Sequence, residues 1–464
     1  MTRWNVLSVA MILTASSSNL FAQSTDYIYS APDSDEISSP FAHGIQNGAR
    51  GLSGPFDLDR DGKIEVLLAQ HTAGGRVHVI ENVGVDTWEL VYSTPVLDAS
   101  KSSSNARFAA GGDLDGDGNF EIVYVAGSDY STSNPNYTLG AYIWEHDGVV
   151  GSDNYGQVPA SVADFYSADG LEVPGVARAE VMYIEDVDDD GVNELLIPAN
   201  GPSTHDIFYI ISALGEFVHE GIGTTFESWI IEGKAAPRAN GAALGGGSAQ
   251  NLVVADLNGD GKKDISFMSW EDFNLFNGTI SGPDSLTLPD PTSGTAFYMA
   301  NPEGDDDSSI FGGAAIDIDG DGNDEVFYIS FETQQLVVLD YDQGADVLAI
   351  GPENVLLNGI EVKGIGGVAG ADLDGDGNLE VLVGGPGYTA DKINAGEPSQ
   401  FLVVAEFVGD DPLDPASYQV ELLDTGSPAD VYGFHTIVRD SSGVETIRYE
   451  TADSQRGTIE TNDG

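Results

Sequence analysis

An all-β, seven-bladed β-propeller is the fold this sequence predicts. Three observations lead there: a carboxylate-rich motif recurs six times, short apolar runs flank each copy, and glycine fills 58 of 464 positions. Units of several tens of residues that cannot bury their apolar faces alone stack against copies of themselves. Three or four strands per unit is the size of a propeller blade. No stretch of any length has the 3.6-residue periodicity of a helix.

The motif places acids at positions 1, 3, 5 and 9 and glycine at position 6. The first copy is Asp57, Asp59, Asp61, Gly62 and Glu65, and the second Asp113, Asp115, Asp117, Gly118 and Glu121. The third is Asp186, Asp188, Asp190, Gly191 and Glu194. The fourth, Asp256, Asn258, Asp260, Gly261 and Asp264, has an amide at position 3. The fifth is Asp317, Asp319, Asp321, Gly322 and Glu325, and the sixth Asp372, Asp374, Asp376, Gly377 and Glu380. Successive copies start 56, 73, 70, 61 and 55 residues apart, so about seven units fit after the N-terminal leader. A seventh unit without most of its acids is expected at Val438–Glu445, where Gly443 keeps the turn.

Small and apolar residues precede the motif, as in Phe108–Gly112, Phe311–Ala315 and Gly367–Ala371. A short apolar run follows it, as in Val66–Ala69, Ile122–Val125 and Val326–Ile329. Runs of four or five rich in β-branched and aromatic residues, bounded by Gly and Asp, read as buried strands. Further strands are predicted at Arg76–Glu81, Ile207–Ile211 and Gln335–Asp340. The glycine-rich first strand suits a position where backbones approach closely. Longer surface loops are expected over Asp129–Asn136, Asp147–Asp169 and Asp284–Asp307.

Composition narrows the function. Asp plus Glu number 76 against 17 Lys plus Arg, a formal net charge of −59, which repels phosphate backbones and argues against nucleic-acid binding. With no cysteine there is no disulfide framework, thiolate metal site or cysteine nucleophile. Arg3, the apolar run Val6–Leu13 and the small-residue exit at Ala22 have the form of a secretory signal peptide over residues 1–22. Residues 23–464 then form one propeller domain, its ring closed by an N-terminal strand near residues 26–30. No later run is long enough to cross a membrane as a helix. The expected setting is extracellular or at the cell surface, where millimolar calcium is available.

The motif has the chemistry of a calcium loop. Carboxylates at positions 1, 3 and 5 converge when glycine at 6 allows the sharp bend. A carbonyl at 7 and a carboxylate at 9 complete an oxygen cage. An EF-hand would need Glu at position 12 on a helix. Position 12 is Leu68, Tyr124, Ile197, Phe267, Tyr328 or Val383, each in the following strand, which excludes that module. Six copies make chance acidic turns improbable, so about six Ca²⁺ are expected, contributing directly to folding.

The loop together with its preceding segment, Phe311–Asp317 above all and also Ala106–Asp113, resembles the FG-GAP or VCBS-type repeat. That repeat is the blade of the seven-bladed propeller in integrin α-subunit headpieces and in many secreted bacterial proteins. The resemblance covers roughly residues 47–450. It implies Ca²⁺ in the hairpin between a blade's first and second strands, held by the side chains above and the carbonyls of Lys63, Asn119, Val192, Lys262, Asn323 and Asn378. Asn258 gives the fourth site one less negative charge.

The scarce basic residues form a second pattern. Arg50, Arg107, Arg178, Arg238 and Lys363 stand shortly before first strands. Such a ring would take an anionic ligand such as a uronate or sulfate. Pairing of each with an acid of a neighbouring blade is the reading that 76 acids favour. The seven histidines (His43, His71, His78, His146, His205, His219 and His435) lack metal-ligand spacing, and no nucleophile elbow or phosphate loop is present. The function expected is non-catalytic binding or adhesion to an extracellular glycan or protein. A propeller enzyme acting on an anionic polysaccharide, or a calcium-dependent scaffold within a larger surface protein, are the alternatives.

Overall fold

In the computed structural model, the described residues are 22–23, 27–30, 49–70, 76–84, 87–95, 106–126, 140–163, 179, 181–200, 206–221, 229–235, 238–239, 242–243, 249–269, 275–279, 297–299, 310–330, 335–342, 347–349, 368–373, 376–384, 401–424, 435–439, 445–450 and 456–461. Strands dominate them, with one short 3-10 turn at Pro415–Ser417. No helix among the described residues is long and apolar enough to cross a membrane.

Two short strands lead the chain, β1 (Ala22–Gln23) and β2 (Tyr27–Ser30). The first sheet follows: β3 (Ala49–Phe56), β4 (Glu65–Gln70), β5 (Arg76–Gly84) and β6 (Thr87–Ser93). The second is β7 (Ala109–Gly112), β8 (Glu121–Ala126), β9 (Gly140–Glu145) and β10 (Ser161–Ala163). The third is β11 (Tyr183–Glu185), β12 (Glu194–Asn200), β13 (Asp206–Ala213) and β14 (Trp229–Ala235). A small hairpin, β15 (Arg238–Ala239) and β16 (Ala242–Ala243), precedes the fourth sheet. That sheet comprises β17 (Ala249–Ala255), β18 (Asp264–Ser269), β19 (Leu275–Thr279) and β20 (Phe297–Met299). Next come β21 (Ile310–Ile316), β22 (Glu325–Ser330), β23 (Gln335–Asp342) and β24 (Val347–Ala349). The chain continues through β25 (Val368–Ala371), β26 (Glu380–Gly384), β27 (Phe401–Phe407) and β28 (Tyr418–Asp424). It ends with β29 (His435–Arg439), β30 (Glu445–Glu450) and β31 (Arg456–Thr461).

The first strand of each sheet faces the next sheet around an axis. β3 lies against β7, β7 against β11, β12 against β17, β17 against β21, β21 against β25, β25 against β29, and β29 returns to β3. This is a β-propeller. Five sheets are four-stranded meanders made only of consecutive strands, so there are five self-contained blades rather than the seven expected from repeat spacing. The reason is closure of the chain. β1 adds in parallel to β28, and β2 pairs antiparallel with β31, Tyr27 opposite Thr461. The two C-terminal sheets are therefore composites of both chain ends, and an edge that a lone repeat would leave open is covered. Asp440, in the motif-poor unit predicted at Val438–Glu445, lies outside the described residues, between β29 and β30.

The apolar runs are continuous because each blade is buried on both faces. On β4, Leu67 joins a large cluster with Ile122, Tyr124, Trp144 and Leu195 of the next blades. Its neighbours Val66 and Leu68 turn the other way, packing with Leu52, Ile80 and Trp88. A comparable cluster links the later sheets through Ile316, Phe327, Val381 and Phe407.

Glycine in the first strands answers crowding at the axis. A Cβ on Gly112 would lie 2.6 Å from Ile184 Cγ2 in the next blade's first strand, and one on Gly370 would lie 2.3 Å from Ile316 Cδ1. Gly112→Ala is expected to destabilise by about 1–3 kcal/mol in chemical denaturation. Ile184→Ala in the same chain removes the Cγ2 methyl that the new Cβ would meet and should recover part of that loss, and strictly additive effects would show that the two residues do not compete for space.

Candidate metal centres

Each repeated loop joins the first and second strands of its sheet, and one hydrogen-bond scheme recurs in them. The amide of position 2 donates to the carboxylate of position 9: Leu58 to Glu65 (2.6 Å), Leu114 to Glu121 (2.5 Å) and Val187 to Glu194 (2.9 Å). Leu257 does so to Asp264 (3.1 Å), Ile318 to Glu325 (2.9 Å) and Leu373 to Glu380 (2.6 Å). The amide of position 6 donates to position 1, as from Gly62 to Asp57 and from Gly191 to Asp186. Position 7 donates to position 5, as from Lys63 to Asp61 (2.8 Å) and from Val192 to Asp190 (2.7 Å). Gly62 at φ 87° takes the bend that positive φ requires, and Arg60 and Asp189 also adopt it at position 4.

These bonds use the outer carboxylate oxygens and turn the others inward. In the first loop one oxygen each from Asp57, Asp59, Asp61 and Glu65 lies within 4.8 Å of the others, and Asp186, Asp188, Asp190 and Glu194 do the same in the third. Asp113, Asp115 and Glu121 converge in the second loop, and Asp317, Asp319 and Glu325 in the fifth. The second oxygens of Glu65, Glu121, Glu194 and Glu325 are buried and accept no hydrogen bond, nor does Oδ1 of Asp113 or Asp317. Buried carboxylate oxygens without donors are costly unless a cation or a proton meets them. The donor set, all hard oxygen, suits a divalent cation such as Ca²⁺.

With no cation, the carboxyls bind protons instead. Burial, reinforced by Asp59 and Asp57, pushes Glu65 up to about 9. Burial likewise lifts Glu325 to about 9 and Glu194 to about 8, each with a neighbouring loop aspartate adding to the effect.

Asp256, Asp260 and Asp264 of the fourth loop do not converge in the same way. Asn258 keeps the turn by accepting from the Asp260 amide (3.0 Å) but brings no charge. In the sixth loop Asp374 lies outside the described residues, while Asp372, Asp376 and Glu380 hold their places in the scheme. The position 7 residues Lys63, Asn119, Val192, Lys262, Asn323 and Asn378 all sit at the turn.

Three of the five basic residues fall within the described residues. Arg50 lies in β3 and Arg238 in the β15–β16 hairpin, eleven residues before its blade's first strand. Arg107 stands two residues before β7, and Arg178 and Lys363 fall outside the described residues. The described histidine side chains have structural bonds. His78 Nδ1 meets Ser93 Oγ (2.7 Å), His146 Nε2 meets the Ser152 carbonyl, and His219 Nδ1 meets the Glu145 carbonyl (2.7 Å).

Sequence reasoning missed acids on the third strands. Glu81 lies opposite Glu65, Glu145 opposite Glu121 and Glu406 opposite Glu380. It also missed Asp153, which reaches from the second blade's hairpin to Asp59 and Glu81. The signal was an acid closing each third-strand apolar run, visible at Glu81 and Glu145.

The first two loops decide the family comparison. Residues 57–124 match the FG-GAP-like repeat. The matched FG-GAP-like segment runs from the first carboxylate loop through the second and into β8. No curated protein matches the chain. Among solved structures, similarity is found to the BP39L lectin from Burkholderia pseudomallei, with a TM-score of 0.45 and 14% identity over 89% of this chain and 98% of that one. BBS1N in complex with ARL6DN gives 0.44 and 12% over 90% and 92%. The exotype rhamnogalacturonan lyase YesX gives 0.44 and 14% over 89% and 72%.

Stripped of divalent cations, the chain should lose stability as pH rises. The raised carboxyls bind protons in the folded state that they release near pH 4.3 when unfolded. Their contribution is therefore complete in acid and lost as pH climbs through about 8–9. Thermal melts in chelator from pH 5 to 9 should show a falling Tm, and a rising Tm would contradict this account.

Proposed function

We propose that the protein is a secreted, calcium-stabilised propeller that binds an extracellular glycan or protein without catalysing a reaction. The observation that carries the calcium reading is the repeated inward carboxylate whose buried second oxygen has no donor in four loops. The residues holding each ion would be those at positions 1, 3, 5 and 9, with the carbonyl of position 7. In this reading the two composite sheets complete the ring, the N-terminal strands serving as its clasp, and residues 1–22 direct export.

Support for a binding role comes from the loops joining third and fourth strands. Val149 and Val150 are exposed between β9 and β10, Leu214 and Val218 between β13 and β14, and Val408 between β27 and β28. In an up-and-down meander these loops share an end with the carboxylate loops. Contacts bear this out: the Gly151 amide donates to the Asp59 carbonyl (3.0 Å), and the Phe217 amide donates to Asp115. A ligand at this face would meet apolar tips held in place by the metal loops. Loops of this kind are where a rigid scaffold carries recognition.

Titration of chelator-stripped protein with CaCl₂ should show about five or six sites and a raised Tm, and one site or none would refute the calcium reading. At a hundredfold excess over Kd each site adds ~2.7 kcal/mol. Asp115→Ala should lower the Tm in calcium more than Asp440→Ala does. A glycan array probed in millimolar calcium should give signals that chelation abolishes. Signals indifferent to both chelation and Val149→Asp would remove this face from the binding role.

A further inference from the structure

Position 8 of the motif, between the carbonyl of position 7 and the carboxylate of position 9, divides the six loops into two kinds. In the first, second and sixth it is Ile64, Phe120 and Leu379. Each of these packs against an apolar cluster. Its carbonyl accepts from an amide at the end of its own blade's third strand: Asn82 to Ile64 (2.7 Å), His146 to Phe120 (3.1 Å) and Phe407 to Leu379 (2.9 Å). In the third, fourth and fifth loops position 8 is Asn193, Lys263 and Asp324. Each of these reaches the preceding blade at or beside position 1. Asn193 Nδ2 donates to the carbonyl of Asp113, position 1 of the second loop, at 2.6 Å. Lys263 Nζ is 2.8 Å from Oε1 of Glu185, the residue before position 1 of the third loop. Asp324 holds position 1 of the fourth loop twice. Its Oδ2 accepts from the Asp256 amide (2.7 Å), and its own amide donates to the Asp256 carbonyl (2.8 Å).

These contacts join the ligand positions of one loop to those of the loop before it. On the calcium reading, positions 7 and 9 hold the cation of their own loop, so an ion bound there fixes the backbone of position 8. The contact made by position 8 then fixes position 1 of the preceding loop, a ligand of the neighbouring site. A site whose ligands are already ordered binds more tightly, because less ordering remains to be done on binding. Such linkage is reciprocal, each cation raising the affinity of the other's site by the same factor. The second and third loops show it most directly, since acids converge in both.

We propose that Asn193, Lys263 and Asp324 are positioning residues that couple the metal loops of neighbouring blades, so that a divalent cation in the third loop strengthens the binding of one in the second. The side chain at position 8 then decides whether a loop acts on the blade before it or only on its own. This inference rests on the calcium reading of the loops and goes beyond it by making the sites depend on one another.

Calorimetric titration of stripped, full-length protein with CaCl₂ tests it. Asp188→Ala removes a position 3 ligand of the third loop and leaves every residue of the second in place. It should abolish one site and weaken another by about fivefold or more. Asn193→Leu gives the third loop the position 8 residue of the sixth. In that background Asp188→Ala should still abolish its own site, while the remaining sites keep the affinities they have in Asn193→Leu alone. Asn193→Gln, which retains an amide donor, should restore part of the coupling. If Asp188→Ala abolishes one site in the otherwise wild-type chain and leaves the rest unchanged, the proposal is overturned. It is overturned too if Asn193→Leu lowers the Tm yet leaves the response to Asp188→Ala as it was, since position 8 then only holds the blades together. Wild-type protein that binds no calcium instead refutes the calcium reading itself, which keeps the two failures apart. Should Asp188→Ala not fold, Asp188→Asn carries the same test.

Discussion

The bond from a position 2 amide to a position 9 carboxylate is the constraint from which the arrangement of each loop follows. It ties the end of the first strand to the start of the second across seven residues, and it recurs in all six loops with lengths from 2.5 to 3.1 Å. One carboxylate oxygen is consumed, and the other is left inside, facing the acids of positions 1, 3 and 5. The loop is thereby folded around a point of negative charge. A charge-assisted bond to a backbone amide is strong enough to hold a buried carboxylate in place. It does not neutralise the cluster, so the loop is ordered and electrostatically incomplete at once.

The loops also bind blade to blade. Arg60 reaches from the first loop to the carbonyls of Gly118 and Gly148 in the second blade. Asn193 Nδ2 donates to the Asp113 carbonyl at 2.6 Å, linking the third loop to the second. Asp324 and Asp256 exchange two bonds between the fifth and fourth loops, 2.7 Å and 2.8 Å. Whatever orders one loop therefore orders its neighbour. Stability in a ring of repeats is carried by such nearest-neighbour interfaces as well as by each unit, and here the interface at this end runs through the loop residues themselves.

Much of this could be read from the chain. The loops were legible because acid spacing and the turn glycine are local properties, and the second strands because burial on both faces leaves a continuous apolar run such as Val66–Ala69 within Glu65–Gln70. Crowding of first strands was legible through glycine, and Gly112 beside Ile184 gives the physical cause. The blade count was not. Dividing length by spacing treats every unit as self-contained, whereas Tyr27–Ser30 belongs to a sheet formed more than four hundred residues later. The placement of Arg238 was hidden too, because it lies in a two-stranded hairpin of its own. The placement of Glu145 depended on register. The pairing of β8 with β9 sets that acid opposite Glu121, and a slip of one residue would turn it to the other face.

The charge imbalance can now be divided by environment rather than by count. The six motifs account for 23 of the 76 acids, and third-strand residues such as Glu81 and Glu145 add buried ones beside them. Exposed acids are screened within about 10 Å by ordinary salt and serve to keep such a chain apart from its copies. Those inside the loops are not reached by that screening. Glu65, Glu121, Glu194 and Glu325 are each 0–1% exposed, so only a bound cation or a proton can meet their inner oxygens. Monovalent salt and a ligating cation therefore act on different members of the same acidic population. That separation is what makes a chain of net charge −59 compatible with a packed ring: the surface charge is left to the solvent, and the buried charge is gathered at points where one ion can answer several carboxylates.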